Sequence, residues 1–253
     1  MSWIVLVLLH PVAARALEGL RMRPVRACAP AGLTCTRTVL FDADGTLLDS
    51  LPPHIDFLRT LNDELGTGLE LPQRGDVDAC RRIAAAPMAN FFREAGFPDS
   101  AIEHLVANYE SRFARECPVF PFPGVEQLIG QLTDEGVACA IVSSNTAVNV
   151  QYGLGPALCA RLQLIMGIDN GPADKANAIS AALSQMGADP ASTAYVGDTR
   201  KDAMKAAEAG VRFVGVSYGF EPLETLEPCG GGDAAVVVGS VGELESVLLG
   251  MCR

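Results

Sequence analysis

Asp42 and Asp44 stand one residue apart in Asp42-Ala43-Asp44-Gly45-Thr46, directly after the apolar run Val39-Leu40-Phe41. Two carboxylates on the rim of a buried strand can divide the work of phosphoryl transfer, one attacking phosphorus while the other handles the proton of the leaving group. Gly45 lets the backbone turn sharply beside them. Taken alone, the same residues also suit a turn or a helix cap, so the pair needs company.

Three further positions supply it, each at or just after the end of an apolar run. Ser143 follows Ile141-Val142 and could give a hydroxyl to a phosphate oxygen or simply cap a helix, with Ser144 and Asn145 as weaker neighbours. Lys175 opens a helical pattern, where a cation opposes the helix dipole; an anion held there, a phosphate or the Asp42 carboxylate, explains it better than a structural lysine does. Asp198 and Asp202 lie one helical turn apart in Gly197-Asp198-Thr199-Arg200-Lys201-Asp202, where acids would also complement a helix N-terminus. A carboxylate meeting an anionic phosphate is repelled, and a hard, oxygen-seeking cation such as Mg²⁺ offsets that repulsion.

The elements that must position these groups alternate between short β-branched runs and helical periodicities from residue 36 onward, which predicts a doubly wound α/β fold with a Rossmann-like parallel sheet. Strands are expected over Thr36–Phe41, Val137–Val142, Leu162–Gly167, Thr193–Val196, Arg212–Val216 and Ala234–Val238. Helices are expected over Gly124–Glu135, Lys175–Met186 and Asp202–Ala209, each followed by a glycine that can end it. In a parallel sheet every strand ends on the same side, so residues far apart in sequence converge there.

Between Ser50 and Phe122 the strand signal disappears. Ile55, Leu58, Leu61 and Leu65 mark one helical face, and Ile102, Leu105, Val106, Tyr109 and Phe113 mark another, opened by an expected capping box over Ser100–Glu103. The division that follows is a leader over 1–35, an α/β core from 36–50 and 123–253, and an inserted all-α cap over 51–122. Pro52 and Pro53 stiffen its entry and Pro118, Pro121 and Pro123 its exit. An insert at that point hangs over the strand ends and can act as a lid. His54, at the entry, is expected as a surface side chain, and Arg81, Arg82, Arg93, Arg112 and Arg115 as the solvated face of the cap helices.

In this order the motifs resemble those of the haloacid dehalogenase superfamily, in particular the phosphoglycolate-phosphatase-like group with a helical cap of the C1 type. The resemblance runs over about residues 36 to 250 and rests on Asp42-Ala43-Asp44-Gly45-Thr46, Ile141-Val142-Ser143-Ser144-Asn145, Lys175 and Gly197–Asp202. It implies Asp42 as nucleophile, Asp44 as acid and base, and Ser143, Ser144 and Lys175 around the phosphate. For the metal it implies the side chains of Asp42 and Asp198 with the main-chain carbonyl of Asp44, and Asp202 as the residue orienting Lys175 or a metal-bound water. Val214–Phe220 resembles the loop that shapes the site entrance, with Tyr218 and Phe220 expected as packing residues. Ala43 replaces a bulkier residue, at a position where the backbone matters. The implied reaction is Mg²⁺-dependent hydrolysis of a small phosphorylated metabolite through an aspartyl-phosphate. A sugar phosphomutase of the same architecture and a non-catalytic binding module are the alternatives, and a dehalogenase is disfavoured because a departing halide needs no proton from Asp44.

Composition sets the outer limits. The chain of 253 residues is 49% hydrophobic and 19% charged, enough for a substantial core. A net charge of −11 and a pI near 4.7 argue against nucleic acid or an anionic membrane as partner. Residues 1–40 carry +4, leaving −15 for the rest, and Trp3–Leu9 is much shorter than the roughly 20 residues a spanning helix needs. That arginine-rich start reads as an organelle-targeting peptide, an unstructured leader or a start codon placed ahead of Met22. Eight scattered cysteines without C-x-x-C pairs suggest a reducing compartment, hence a cytoplasmic protein, with Cys80 and Cys139 as small core residues. Oligomeric state and the identity of the substrate are not legible in one sequence.

Overall fold

The computed structural model describes residues 35–84, 87–226 and 236–252. The expected leader therefore lies outside the described residues, except for Cys35. Six parallel strands form one sheet: β1 (Thr38–Phe41), β2 (Ala138–Val142), β3 (Leu164–Met166), β4 (Thr193–Gly197), β5 (Arg212–Val216) and β6 (Val236–Val238). Their order is β3-β2-β1-β4-β5-β6, so β1 is central and the chain order reverses on either side of it. That reversal point is where open α/β sheets form their ligand crevice.

Strand β1 is buried at every position, as a strand covered on both faces must be. Its alternation divides the core. Val39 and Phe41 pack with Cys139, Ile141 and Val196 against α5 (Val125–Asp134), α6 (Ala147–Cys159) and α10 (Val241–Met251). Leu40 points the other way, with Ala140, Val142 and Tyr195, against α7 (Lys175–Met186) and α8 (Arg200–Glu208). The short α9 (Leu223–Leu226) follows β5.

Between β1 and β2 the insert forms α1 (Leu51–Leu65), α2 (Val77–Ile83), α3 (Met88–Glu94) and α4 (Ile102–Glu116). It has its own core, built on Phe57, Phe91, Phe92, Phe97 and Phe113. Among the described residues no helix is long and apolar enough to cross a membrane.

Local expectations needed correction in several places. Ser100 does not open a capping box: Asp99–Ala101 is a 3₁₀ turn, and α4 begins at Ile102 with no side-chain cap. Leu65, the last residue of α1 and beside the Gly66 cap, is 42% exposed rather than part of the helix's buried face. Helix α8 begins at Arg200, two residues before Asp202, because Thr199 caps it. The first, second and third strands are shorter at their starts than expected, and Ala234 lies outside the described residues.

Candidate active site

Register brings the first and fourth motifs together. Phe41 pairs with Val196, and the Asp42 N–H continues the ladder by donating to the Val196 carbonyl at 2.8 Å, so Asp42 and Asp198 leave the sheet side by side. On the other flank Phe41 pairs with Ile141, which sets Ser143 just beyond the end of β2. Lys175 arrives from the start of α7, where Asp174 caps the helix by accepting from the Asn177 N–H.

The Lys175 ammonium donates to Asp42 Oδ2 at 2.8 Å and to Asp202 Oδ1 at 2.5 Å, with all three residues buried. Asp202 has a second task. It completes a true capping box at the start of α8, its Oδ2 accepting from the Thr199 N–H and hydroxyl. Helix capping and orientation of Lys175 are thus one arrangement, because each Asp202 oxygen serves a different partner. Tyr195 lies beneath, with Lys175 Nζ 5.9 Å from its ring centre and its hydroxyl donating to the Val142 carbonyl.

Asp198 is fully buried. Its Oδ2 accepts from the Phe220 N–H at 2.7 Å and its Oδ1 from the Thr46 hydroxyl at 3.3 Å, and it has no cationic side chain of its own. Two glycines allow this approach. A Cβ on Gly45 would fall 2.1 Å from Asp198 Oδ2, and one on Gly219 would fall 2.3 Å from the same atom. Gly45 also turns at φ +74°, a conformation that disfavours any side chain.

One oxygen from each of Asp42, Asp198 and Asp202 lies within 4.8 Å of the others. Three carboxylates against the single Lys175 ammonium leave the cluster short of positive charge. Burial pushes the Asp42 carboxyl up to about 6 despite the opposing pull of Lys175. Asp198 is held well above the usual carboxylate range by burial, then by the charges of Asp202 and Asp42. Burial would lower Lys175, but Asp202 and Asp42 outweigh it and raise its ammonium well above its ordinary range. A divalent cation held among these three buried carboxylates fits this imbalance.

Asp44 lies outside that cluster of acids. It is half-buried, and the Asn145 side-chain amide donates to its Oδ2 at 2.9 Å, giving Asn145 a larger part than its sequence position suggested. Ser143 is buried and its Oγ accepts from the Asn145 N–H at 3.1 Å, while Thr146, not Ser143, caps α6. Ser144 is exposed.

His54 corrects an expectation. It is buried, with Nδ1 2.6 Å from the Ser50 carbonyl, Nε2 3.0 Å from the Tyr109 hydroxyl and its ring stacked on Phe113. Burial pushes its imidazole below the ordinary range, although the nearby Asp44 charge pulls the other way. The signal for its burial was in the sequence: His54 precedes Leu58 by four residues and Leu61 by seven, the apolar face of α1.

Thr46, Thr199, Tyr109, Tyr195 and Gly219 were not singled out as site residues. The cap arginines divide: Arg112 is bound by Glu64 and Glu116, Arg93 bonds Asp99, Arg115 bonds Glu116 and Arg82 is exposed. Arg81 instead reaches the core loop, donating to the carbonyls of Ser217 and Gly219.

Comparison with known proteins adds independent support. Residues 39–216 match the haloacid dehalogenase-like hydrolase family. A phosphoglycolate phosphatase of Caulobacter vibrioides is 33% identical over 204 residues, covering 75% of this chain and 83% of that protein. One from Synechococcus elongatus is 27% identical over 191 residues, covering 75% of this chain and 88% of its own. A haloacid dehalogenase-like family hydrolase from Streptococcus pneumoniae has a TM-score of 0.70 at 20% identity, over 84% of this chain and 98% of that one, a likeness of fold alone.

Proposed function

We propose a reaction from one premise: this chain belongs to the haloacid dehalogenase-like hydrolase family. It is a phosphoric monoester hydrolase, acting on a small phosphorylated metabolite of the phosphoglycolate type with Mg²⁺ as cofactor. The observation that carries this reading is the buried contact of Lys175 with Asp42 at 2.8 Å, beside Asp198. It supports the reading because a carboxylate and a fixed cation meet there beside a second buried acid.

Asp42 attacks phosphorus. A bond forms between its carboxylate oxygen and phosphorus as the ester P–O bond breaks, giving an aspartyl-phosphate. Asp44, steadied by Asn145, gives its proton to the departing alkoxide and then takes one from the water that attacks phosphorus, releasing phosphate and restoring Asp42. Lys175 holds the Asp42 carboxylate and supplies positive charge to the phosphoryl oxygens, while Asp202 keeps Lys175 in place. The Ser143 hydroxyl accepts from Asn145 and still has its own proton to donate to a phosphate oxygen, with Ser144 a more exposed second donor. Asp42, Asp198 and the main-chain carbonyl of Asp44 would hold Mg²⁺, which would supply the positive charge that offsets carboxylate–phosphate repulsion.

The test is a panel of phosphomonoesters, phosphoglycolate and sugar phosphates included, incubated with Mg²⁺ and again with a chelator. Phosphate release that depends on the metal supports the reading. A sugar phosphate isomerised without release points to a mutase instead, and inertness toward every member, p-nitrophenyl phosphate included, contradicts catalysis altogether.

A further inference from the structure

The guanidinium of Arg81 joins the cap to the core at a point that bears on Asp198. Its Nε donates to the Gly219 carbonyl at 2.9 Å and its Nη2 to the Ser217 carbonyl at 2.8 Å. Those acceptors sit two residues apart, and the planar fork of arginine spans both at once. The side chain is only 15% exposed, and the nearest acid, Asp78, is 3.9 Å from Nη1 with its own side chain 81% exposed.

The loop that Arg81 grips is itself packed onto the candidate metal site. The Ser217 N–H bonds the Val238 carbonyl, the Tyr218 hydroxyl donates to the Thr46 carbonyl, and the Phe220 N–H donates to Asp198 Oδ2 at 2.7 Å. Between those anchors Gly219 lies so close that a Cβ there would fall 2.3 Å from both Asp198 Oδ2 and the Gly45 carbonyl. Little slack separates the carbonyl held by Arg81 from the amide that orients Asp198.

We infer that Arg81 is a positioning residue: by pinning the Ser217 and Gly219 carbonyls it makes the seating of α2 on the core a condition for the alignment of Asp198 as a metal ligand. Cap placement and ion affinity are then one equilibrium. An ion bound at Asp198 favours the docked cap, and a docked cap favours the ion, by the same factor. Groups that orient a ligand from behind typically change metal affinity by about 10- to 100-fold, and Arg81 acts one link further out, so about tenfold is expected.

This inference rests on the metal-dependent reading of the site, and the experiment separates the two. Mn²⁺ binding is measured without substrate, from the electron paramagnetic resonance signal of the free ion, for the wild-type chain, Arg81→Ala, Arg81→Lys and Asp78→Ala. Thermal unfolding of the metal-free proteins is recorded alongside. The expected result is Mn²⁺ affinity lowered about tenfold by Arg81→Ala, lowered less by Arg81→Lys, which cannot span both carbonyls, and unchanged by Asp78→Ala. Excess Mg²⁺ then restores turnover of p-nitrophenyl phosphate by Arg81→Ala. Should Arg81→Ala fail to fold, Arg81→Lys carries the comparison. Wild-type affinity retained by both Arg81 variants overturns the inference and leaves the metal site standing, because Arg81 then only docks the cap. No Mn²⁺ binding by the wild-type chain overturns the metal site and this inference with it.

Discussion

The core and the cap both bury polar side chains, but in opposite ways. At the strand ends the core concentrates charge: Asp42, Asp198, Asp202 and Lys175 are all buried, and only one of them is a cation. The cap buries His54 against a half-buried Tyr109 inside an aromatic cluster with Phe57, Phe91 and Phe113, and leaves the ion pairs of Arg112 with Glu64 and Glu116 near the surface. Charge held against desolvation is what a site for chemistry requires, and only part of it, the capping of α8 by Asp202, serves the fold. The cap's polar groups are ones a folded helical bundle can satisfy by itself.

The largest expected effect that separates the two regions comes from Asp42→Asn. Removing the proposed nucleophile should lower kcat for p-nitrophenyl phosphate by about a thousandfold or more, with the circular dichroism of the fold unchanged. Activity within tenfold of wild type would break the assignment.

Next comes Lys175→Met. Taking the cation out of a buried cluster leaves Asp42 and Asp202 uncompensated, and the expected loss is about 3 kcal/mol in urea unfolding at pH 7.5. The loss should shrink at pH 5, where Asp42, at about 6, has already taken up a proton. Arg112→Ala in the cap should cost much less, since its partners remain solvated. Equal losses would erase the distinction between the regions.

Metal and pH sharpen it further. The folded Asp42 carboxyl titrates near 6 against an ordinary value of 3.8, so the metal-free native state holds this proton more tightly than the unfolded chain does. Its contribution therefore becomes less favourable as pH rises from about 4 to 6, and level above that. A cation needs the ionised carboxylate, so Mg²⁺ should raise the unfolding midpoint more at pH 7.5 than at pH 5. A shift of the same size at both values would place the ion elsewhere.

The smallest effect is expected from Tyr109→Phe, which deprives the buried His54 Nε2 of its partner. About 1 kcal/mol of stability should be lost, with kcat changed by a few-fold at most.

The core was far more legible in the sequence than the cap. Helix α7 was readable to the residue, because Asp174 caps its start and Gly187 its end around a regular apolar face. Asp42, Lys175 and Asp198 could be found because a parallel sheet gathers strand ends. Helix α6 was missed, since Gly155 and Pro156 interrupt it and its apolar residues do not mark one clean face. Helices α2 and α3 are 7 residues each, too short for an apolar face to repeat. His54 was misplaced because Pro52 and Pro53 suggested a surface hinge, when they occupy the first turn of α1. No sequence signal pointed to the task of Arg81, because its partners are main-chain carbonyls some 136 and 138 residues away.

The central claim is that Asp42 becomes covalently phosphorylated. The most direct measurement is to mix the enzyme, Mg²⁺ and a turned-over phosphomonoester, quench in acid within one turnover, reduce with borohydride and map the peptides by mass spectrometry. Homoserine at position 42, absent without substrate, is the predicted result. Substrate consumed while Asp42 stays unmodified, or an acyl phosphate trapped at another carboxylate, would contradict it.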